Sequence, residues 1–178
     1  MKKKKLSLKK LIFMTLCLDM GIVLKKLLGP GVNVFTDLLR IPGGIGTSFS
    51  LMFILVGAVL CDVPFGATLM CFIQSLVALC LGSVGSMGLL APLGFILPGV
   101  IMDLSIFLFK KTALSNTEQT MYINGIASAS AALVANLLVF RLWGVPFLLY
   151  TAVSLTFGLI TGLLASFLIK RLRKVCKF

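Results

Sequence analysis

The sequence predicts an all-α membrane protein, a compact bundle of six transmembrane helices with cytoplasmic N- and C-termini. Of its 178 residues, 59% are hydrophobic and only 12% charged, too little polar surface to cover a water-soluble globule. The apolar residues fall into six runs, and the basic residues cluster at the ends of those runs. A bilayer core about 30 Å thick takes roughly 20 apolar residues per helix, so the length allows about six spans with short connections.

The first span covers about 11–28, opening "LIFMTLCLDMGIVL" and closing on Lys25 and Lys26. A long external loop, 29–46, follows; it holds "TDLLRIPGGIG", whose glycines and Pro42 favour a folded loop over more helix. Spans two and three, about 47–61 and 67–81, are separated by the turn "DVPFG" and form antiparallel neighbours. "GSVGSMG" leads to span four, about 89–109, where Pro92 and Pro98 loosen or kink the helix. Span five, about 121–140, is rich in small residues, and "RLWGVP" separates it from span six, about 147–169. No internal repeat is evident, which gives no support to an inverted-repeat transporter.

Charge sets the orientation. With the N-terminus inside, the inner face collects thirteen Lys and Arg, from residues 1–10, Lys110, Lys111 and the tail; the outer face has Lys25, Lys26, Arg40 and Arg141. Such an imbalance places both termini in the cytoplasm of a multi-pass protein of the cell membrane and requires an even number of spans. "MKKKKLSLKK" resembles a signal-peptide start, yet no small-residue cleavage site follows and Asp19 interrupts the apolar stretch. It reads as a membrane-hugging cytoplasmic segment.

Several function classes fall away. The net charge of +12 sits in topology clusters and not in a nucleic-acid-binding patch. Five cysteines, odd in number and without CxxC spacing, read as packing residues. Without histidine or an acid cluster, no metal site is expected, and no cofactor is implied. Walker, HExxH and GxSxG motifs are all missing, so an enzyme is not expected and the chain is not expected to hydrolyse ATP by itself.

Polar side chains within a membrane need a partner, a water-filled cavity or a ligand. Gln74 lies midway along span three, Asn136 in the outer half of span five and Tyr150 in the outer part of span six. Together with Asn33, Asp37, Arg40 and Trp143 they form the candidate substrate-binding set under the external loop, suited to a small polar or heteroaromatic ligand. Plainer roles stay open: interfacial anchoring for Trp143 and Tyr150, helix-to-helix hydrogen bonding for Gln74 and Asn136, and mutual pairing of Asp37 and Arg40. Asp19, near the middle of span one, and Asp103, in the inner half of span four, could carry protons in a secondary transporter, but five acids and no histidine make a continuous relay hard to draw, and Asp103 reads rather as snorkelling or capping near the inner surface. Small pairs such as Cys17-xxx-Gly21 and Gly158-xxx-Gly162 mark close helix contacts, within the bundle or with another membrane protein.

Six spans in a short chain, a Gly/Pro-containing first external loop and no ATPase motif together resemble the substrate-binding S components of energy-coupling factor (ECF) transporters, a kind of ABC importer. The likeness rests on "RIPGGIGTSFSLMFILVGAVL" (40–60), "FGATLMCFIQSLVALCLGSVGSMG" (65–88) and "APLGFILPGVIMD" (91–103). It implies a high-affinity receptor for a vitamin or vitamin precursor, with a transmembrane coupling subunit and two ATP-binding subunits as partners. Spans three and four are similar to members associated with thiamine or its pyrimidine precursor. In that family the pocket lies under the loop joining spans one and two, here 29–46, with spans four to six supplying much of its wall, including Asn136 and Tyr150. Many members dock through Ala-xxx-Ala on span one; this chain has Cys17-xxx-Gly21 there, which leaves a shared or a dedicated coupling subunit open. The alternatives are a small stand-alone secondary transporter or channel, and a scaffold protein without a ligand.

Overall fold

Inside a bilayer the main chain has no water to bond, so each N–H and C=O must pair within the chain, and an apolar sequence folds into helices. The computed structural model describes residues 7–38, 45–82, 91–110, 112, 114–141 and 143–175. It contains six α-helices: α1 (Leu8–Leu38), α2 (Ile45–Cys61), α3 (Gly66–Cys80), α4 (Ala91–Phe109), α5 (Asn116–Ala135) and α6 (Val145–Val175). A π-helical segment, Asn136–Phe140, continues α5, and no strand occurs among the described residues. The protein is an all-α bundle, in agreement with the fold class expected.

Polarity is distributed as in a membrane protein. Ser48, Ser50, Gln74, Asn124, Ser128, Ser154 and Thr161 are buried, whereas Leu93, Leu97, Val100, Leu104 and Phe107 of α4 and Leu11, Leu16 and Val23 of α1 lie exposed. Pro92–Phe109, Asn116–Val139 and Val145–Lys174 are long and apolar enough to cross a bilayer. The others depart from that standard: α2 and α3 have 17 and 15 residues, about 26 and 22 Å of helix, and α1 carries Asp19, Lys25 and Lys26 within its apolar stretch.

Three boundaries differ from those expected, each for a physical reason. The loop assigned to 29–46 is largely helix: α1 runs on to Leu38 and α2 starts at Ile45. Gly29 and Pro30 break helices in water, but where the backbone has no other partner the helix continues through them. At its start α5 begins at Asn116 and not near 121, because Ser115 and Glu118 form a capping box: the Ser115 hydroxyl accepts from the Glu118 N–H, and the Ser115 N–H donates to the Glu118 carboxylate. Finally, α6 extends through the basic residues to Val175, since Lys and Arg are good helix formers and complement the dipole at a C-terminus.

Packing centres on α2, α5 and α6. Along the α5–α6 seam a Cβ added at Gly162 would stand 2.7 Å from the Met121 Cα, and one at Gly158 2.7 Å from the Ser128 Cβ. Only glycine permits that approach. The two helices then exchange hydrogen bonds: the Ser128 hydroxyl donates to the Ser154 carbonyl at 2.8 Å, the Ser154 hydroxyl returns one to the Ser128 carbonyl at 2.9 Å, and the Asn124 amide reaches the Gly158 carbonyl and the Thr161 hydroxyl. Ser48 of α2 joins by a hydrogen bond to Ser128. On the other side, Gly99 of α4, beside the buried Pro98, lets α4 close on Cys71 of α3; a Cβ there would meet Cys71 at 2.8 Å.

The helices alternate in direction, which gathers six ends into one strongly basic pole. There the Lys10 ammonium donates to the Cys61 carbonyl at 2.8 Å, Lys110 pairs with Asp62 at 2.8 Å, and Lys170 of α6 donates to Thr117 of α5 at 2.9 Å.

Candidate functional site

The site expected from the sequence lies at the pole opposite the basic one, where α1, α3 and α5 end and α2, α4 and α6 begin. Arg40 falls outside the described residues, and Asn33 and Asp37 lie on helical backbone of α1 with side chains outside the described set.

Gln74 is buried and committed within the protein: its amide donates to the Ser50 hydroxyl of α2 at 2.8 Å. Ser50 is also the residue that Gly21 of α1 packs against, a Cβ at Gly21 lying 3.3 Å from the Ser50 carbonyl and hydroxyl oxygens. The three residues tie α1, α2 and α3 together in one layer. Cys17, one turn earlier, is buried and would stand 3.4 Å from a Cβ added at Gly57 of α2. The pair Cys17-xxx-Gly21, expected as a docking face, is therefore turned inward and used in α1–α2 packing. A helix's outward direction depends on its rotation about its axis, which a four-residue spacing does not specify.

Asn136 and Tyr150 are both buried at this pole, the first at the head of the π-helical segment and the second, 4% exposed, packed with Ala132 and Ala135. The π turn is closed by the Arg141 N–H donating to the Asn136 carbonyl at 2.7 Å, with Arg141 in the left-handed region. Segments of this kind insert an extra residue into a helix and often occur at functional sites, because they re-aim side chains. Trp143 does not join the cluster: it is 88% exposed, as an interfacial anchor would be.

Two residues at this pole carried no site signal in the sequence. Lys25, which reads there as an end-of-span marker, lies within α1 and holds its ammonium 5.0 Å from the Phe95 ring centre on α4. Its Cγ would stand 3.8 Å from a Cβ at Gly46. A cation over an aromatic face is worth on the order of 1 kcal/mol or more when desolvated. The lysine thus bridges α1 to α4 one turn outward of the Gly21–Ser50–Gln74 layer.

At the basic pole a cavity of about 770 Å³ opens between α2, α4, α5 and α6. None of the residues expected at the site lines it. Asp103, on its wall, caps α3: its carboxylate accepts from the Ala67 N–H at 3.2 Å and from the Thr68 N–H and hydroxyl at 2.7 and 2.6 Å. Asp19 lies on the exposed face of α1 with Leu16, Met20 and Val23. Among the described residues no group of His, Cys, Asp and Glu has the arrangement of a metal site. Comparison with protein-family models, curated proteins and solved structures finds no match to this chain, which is on its own evidence an all-α membrane protein.

Proposed function

We propose that this chain is the membrane-embedded substrate-binding subunit of an ECF-type importer, capturing a small polar or heteroaromatic nutrient from outside the cell. A transmembrane coupling subunit and two ATPases would supply the energy. The observation that carries the proposal is the burial of Asn136 and Tyr150 together beside a π-helical segment, at the pole that the charge imbalance assigns to the exterior. An amide and a phenol are the chemical groups, with directional donors and acceptors and an aromatic face, by which such a ligand is recognised. Thirteen of the seventeen basic residues fall on one side of the bundle, which assigns that side and both termini to the cytoplasm of a plasma-membrane protein.

The alternative of a stand-alone secondary transporter rests on Asp19 and Asp103. It is weaker, because Asp103 is engaged by three donors and Asp19 lies on the outer surface of α1, so the two do not form a relay.

The test is purification of the tagged chain from its native membrane, with native mass spectrometry for a retained small molecule and identification of co-purifying subunits. Retention of a ligand that is lost in Asn136→Ala, together with a coupling subunit and ATPases, is the expected result. Gradient-driven uptake by the purified chain alone overturns it.

A further inference from the structure

The cavity at the basic pole has a wall of unusual charge. Four cations line it, Lys110, Lys170, Arg173 and Lys174, against the carboxylates of Asp62 and Asp103. Both carboxylates are already engaged, Asp62 by Lys110 at 2.8 Å and Asp103 by the first turn of α3. Lys170, Arg173 and Lys174 have no carboxylate partner among the described residues and share one face of α6 at spacings of three and four. Like charges so placed on a helix repel each other. They are stable together when an anion lies between them.

Lys170 is also held in position. Its ammonium donates to the Thr117 hydroxyl at 2.9 Å, and Ser166 donates to the same oxygen at 3.2 Å. Thr117 belongs to the first turn of α5, whose N-terminal end, carrying partial positive charge, borders the cavity through Asn116. Deeper in, the wall turns apolar with Ile106, Ile123 and Ile169. A cationic rim over an apolar floor fits a molecule with a charged head and an apolar body, and the volume far exceeds that of a bare ion.

We infer that this cavity binds a phosphate-bearing amphiphile, with the phosphate between Lys170, Arg173 and Lys174 and the apolar part against the isoleucines. The site is separate from the outward-facing one of Asn136 and Tyr150, and its test does not depend on that assignment. The phosphate has two sources, an anionic phospholipid headgroup or a soluble phosphate ester, and two arms distinguish them.

The full chain is placed in phosphatidylcholine nanodiscs. One arm adds phosphatidylglycerol and reads its retention by native mass spectrometry; the other titrates farnesyl pyrophosphate and reads thermal stability. Binding in either arm is expected, weakened at least about tenfold in the double variant Lys170→Gln/Arg173→Gln and in the milder Lys174→Gln, and unchanged in Arg171→Gln, which lies on the same helix but off the cavity wall. Retention in the first arm alone assigns a lipid, and stabilisation in the second alone a soluble ester. No binding in either arm, or equal loss in Arg171→Gln and the cavity variants, overturns the inference.

Discussion

The carboxylate of Asp103 on α4 accepts from both the main-chain N–H and the hydroxyl of Thr68 on α3, at 2.7 and 2.6 Å. The residue at the N-cap position, Phe65, has no side-chain oxygen to offer, and the helix starts from a left-handed turn. A neighbouring helix supplies the cap instead. Replacing Asp103 by Ala leaves the Ala67 and Thr68 donors without their acceptor and costs about 2–3 kcal/mol, whereas Thr68→Val, which removes one donor, costs about 1 kcal/mol. The double variant loses less than the sum, because both changes remove the same bond. Thermal unfolding in detergent reads all three, and wild-type stability in Asp103→Ala would remove the cap from the account.

The α5–α6 seam is sensitive to a single methyl group. At Gly162 a Cβ would meet main-chain atoms of Thr120 and Met121 at 2.7–2.9 Å, which cannot rotate away. Gly162→Ala is expected to destabilise by about 1–3 kcal/mol through overpacking. By contrast Gly46→Ala, with its nearest neighbour at 3.8 Å, is neutral or raises stability by about 0.5 kcal/mol, as an alanine in a helix does. Equal melting temperatures for the two variants would contradict the seam geometry.

Gly21→Leu separates internal packing from partner docking. With Ser50 already 3.3 Å from the position of a new Cβ, the larger side chain forces α1 off α2, and the expected loss is about 1–3 kcal/mol of stability in the isolated chain. If Gly21→Leu leaves the chain fully stable and abolishes only association with partner subunits, the outward-facing assignment is restored.

Gln74 and Asn136 are expected to part company. Since the Gln74 amide is engaged by Ser50, Gln74→Leu costs on the order of 1 kcal/mol of stability, typical of hydrogen bonds between membrane helices, and changes ligand retention less than twofold. Asn136→Ala is expected to lower retention at least tenfold. The same native mass spectra measure both, and a reversed order would move the site to α3.

Three native side chains report depth and orientation. Trp143 is the chain's single tryptophan and is 88% exposed, so its fluorescence is expected to be quenched more by shallow than by deep brominated lipids. Cys80, exposed at the end of α3, is expected to react with a membrane-impermeant maleimide on intact cells, whereas Cys176 reacts only after permeabilisation. Labelling of Cys176 from outside would invert the topology.

The sequence by itself determined that the chain is helical, that its helices pack into one bundle, and that basic charge gathers at one pole. Those properties depend on composition and on the order of residues along the chain, and a bilayer leaves an apolar backbone few alternatives. Even the glycine pair of span six was legible as a contact, because small residues at that spacing permit close approach whatever the partner. Only the tertiary structure decided which partner each side chain meets. Each residue turns a helix by about 100°, so a small error in rotation exchanges inside for outside. That is why Cys17 and Gly21, read as a docking face, lie against α2, and why Lys25, read as a marker of the membrane edge, reaches the Phe95 ring. Asp103 shows the same limit from the other side: its depth was predictable, but its role as the cap of α3 depends on a helix 35 residues away in the chain.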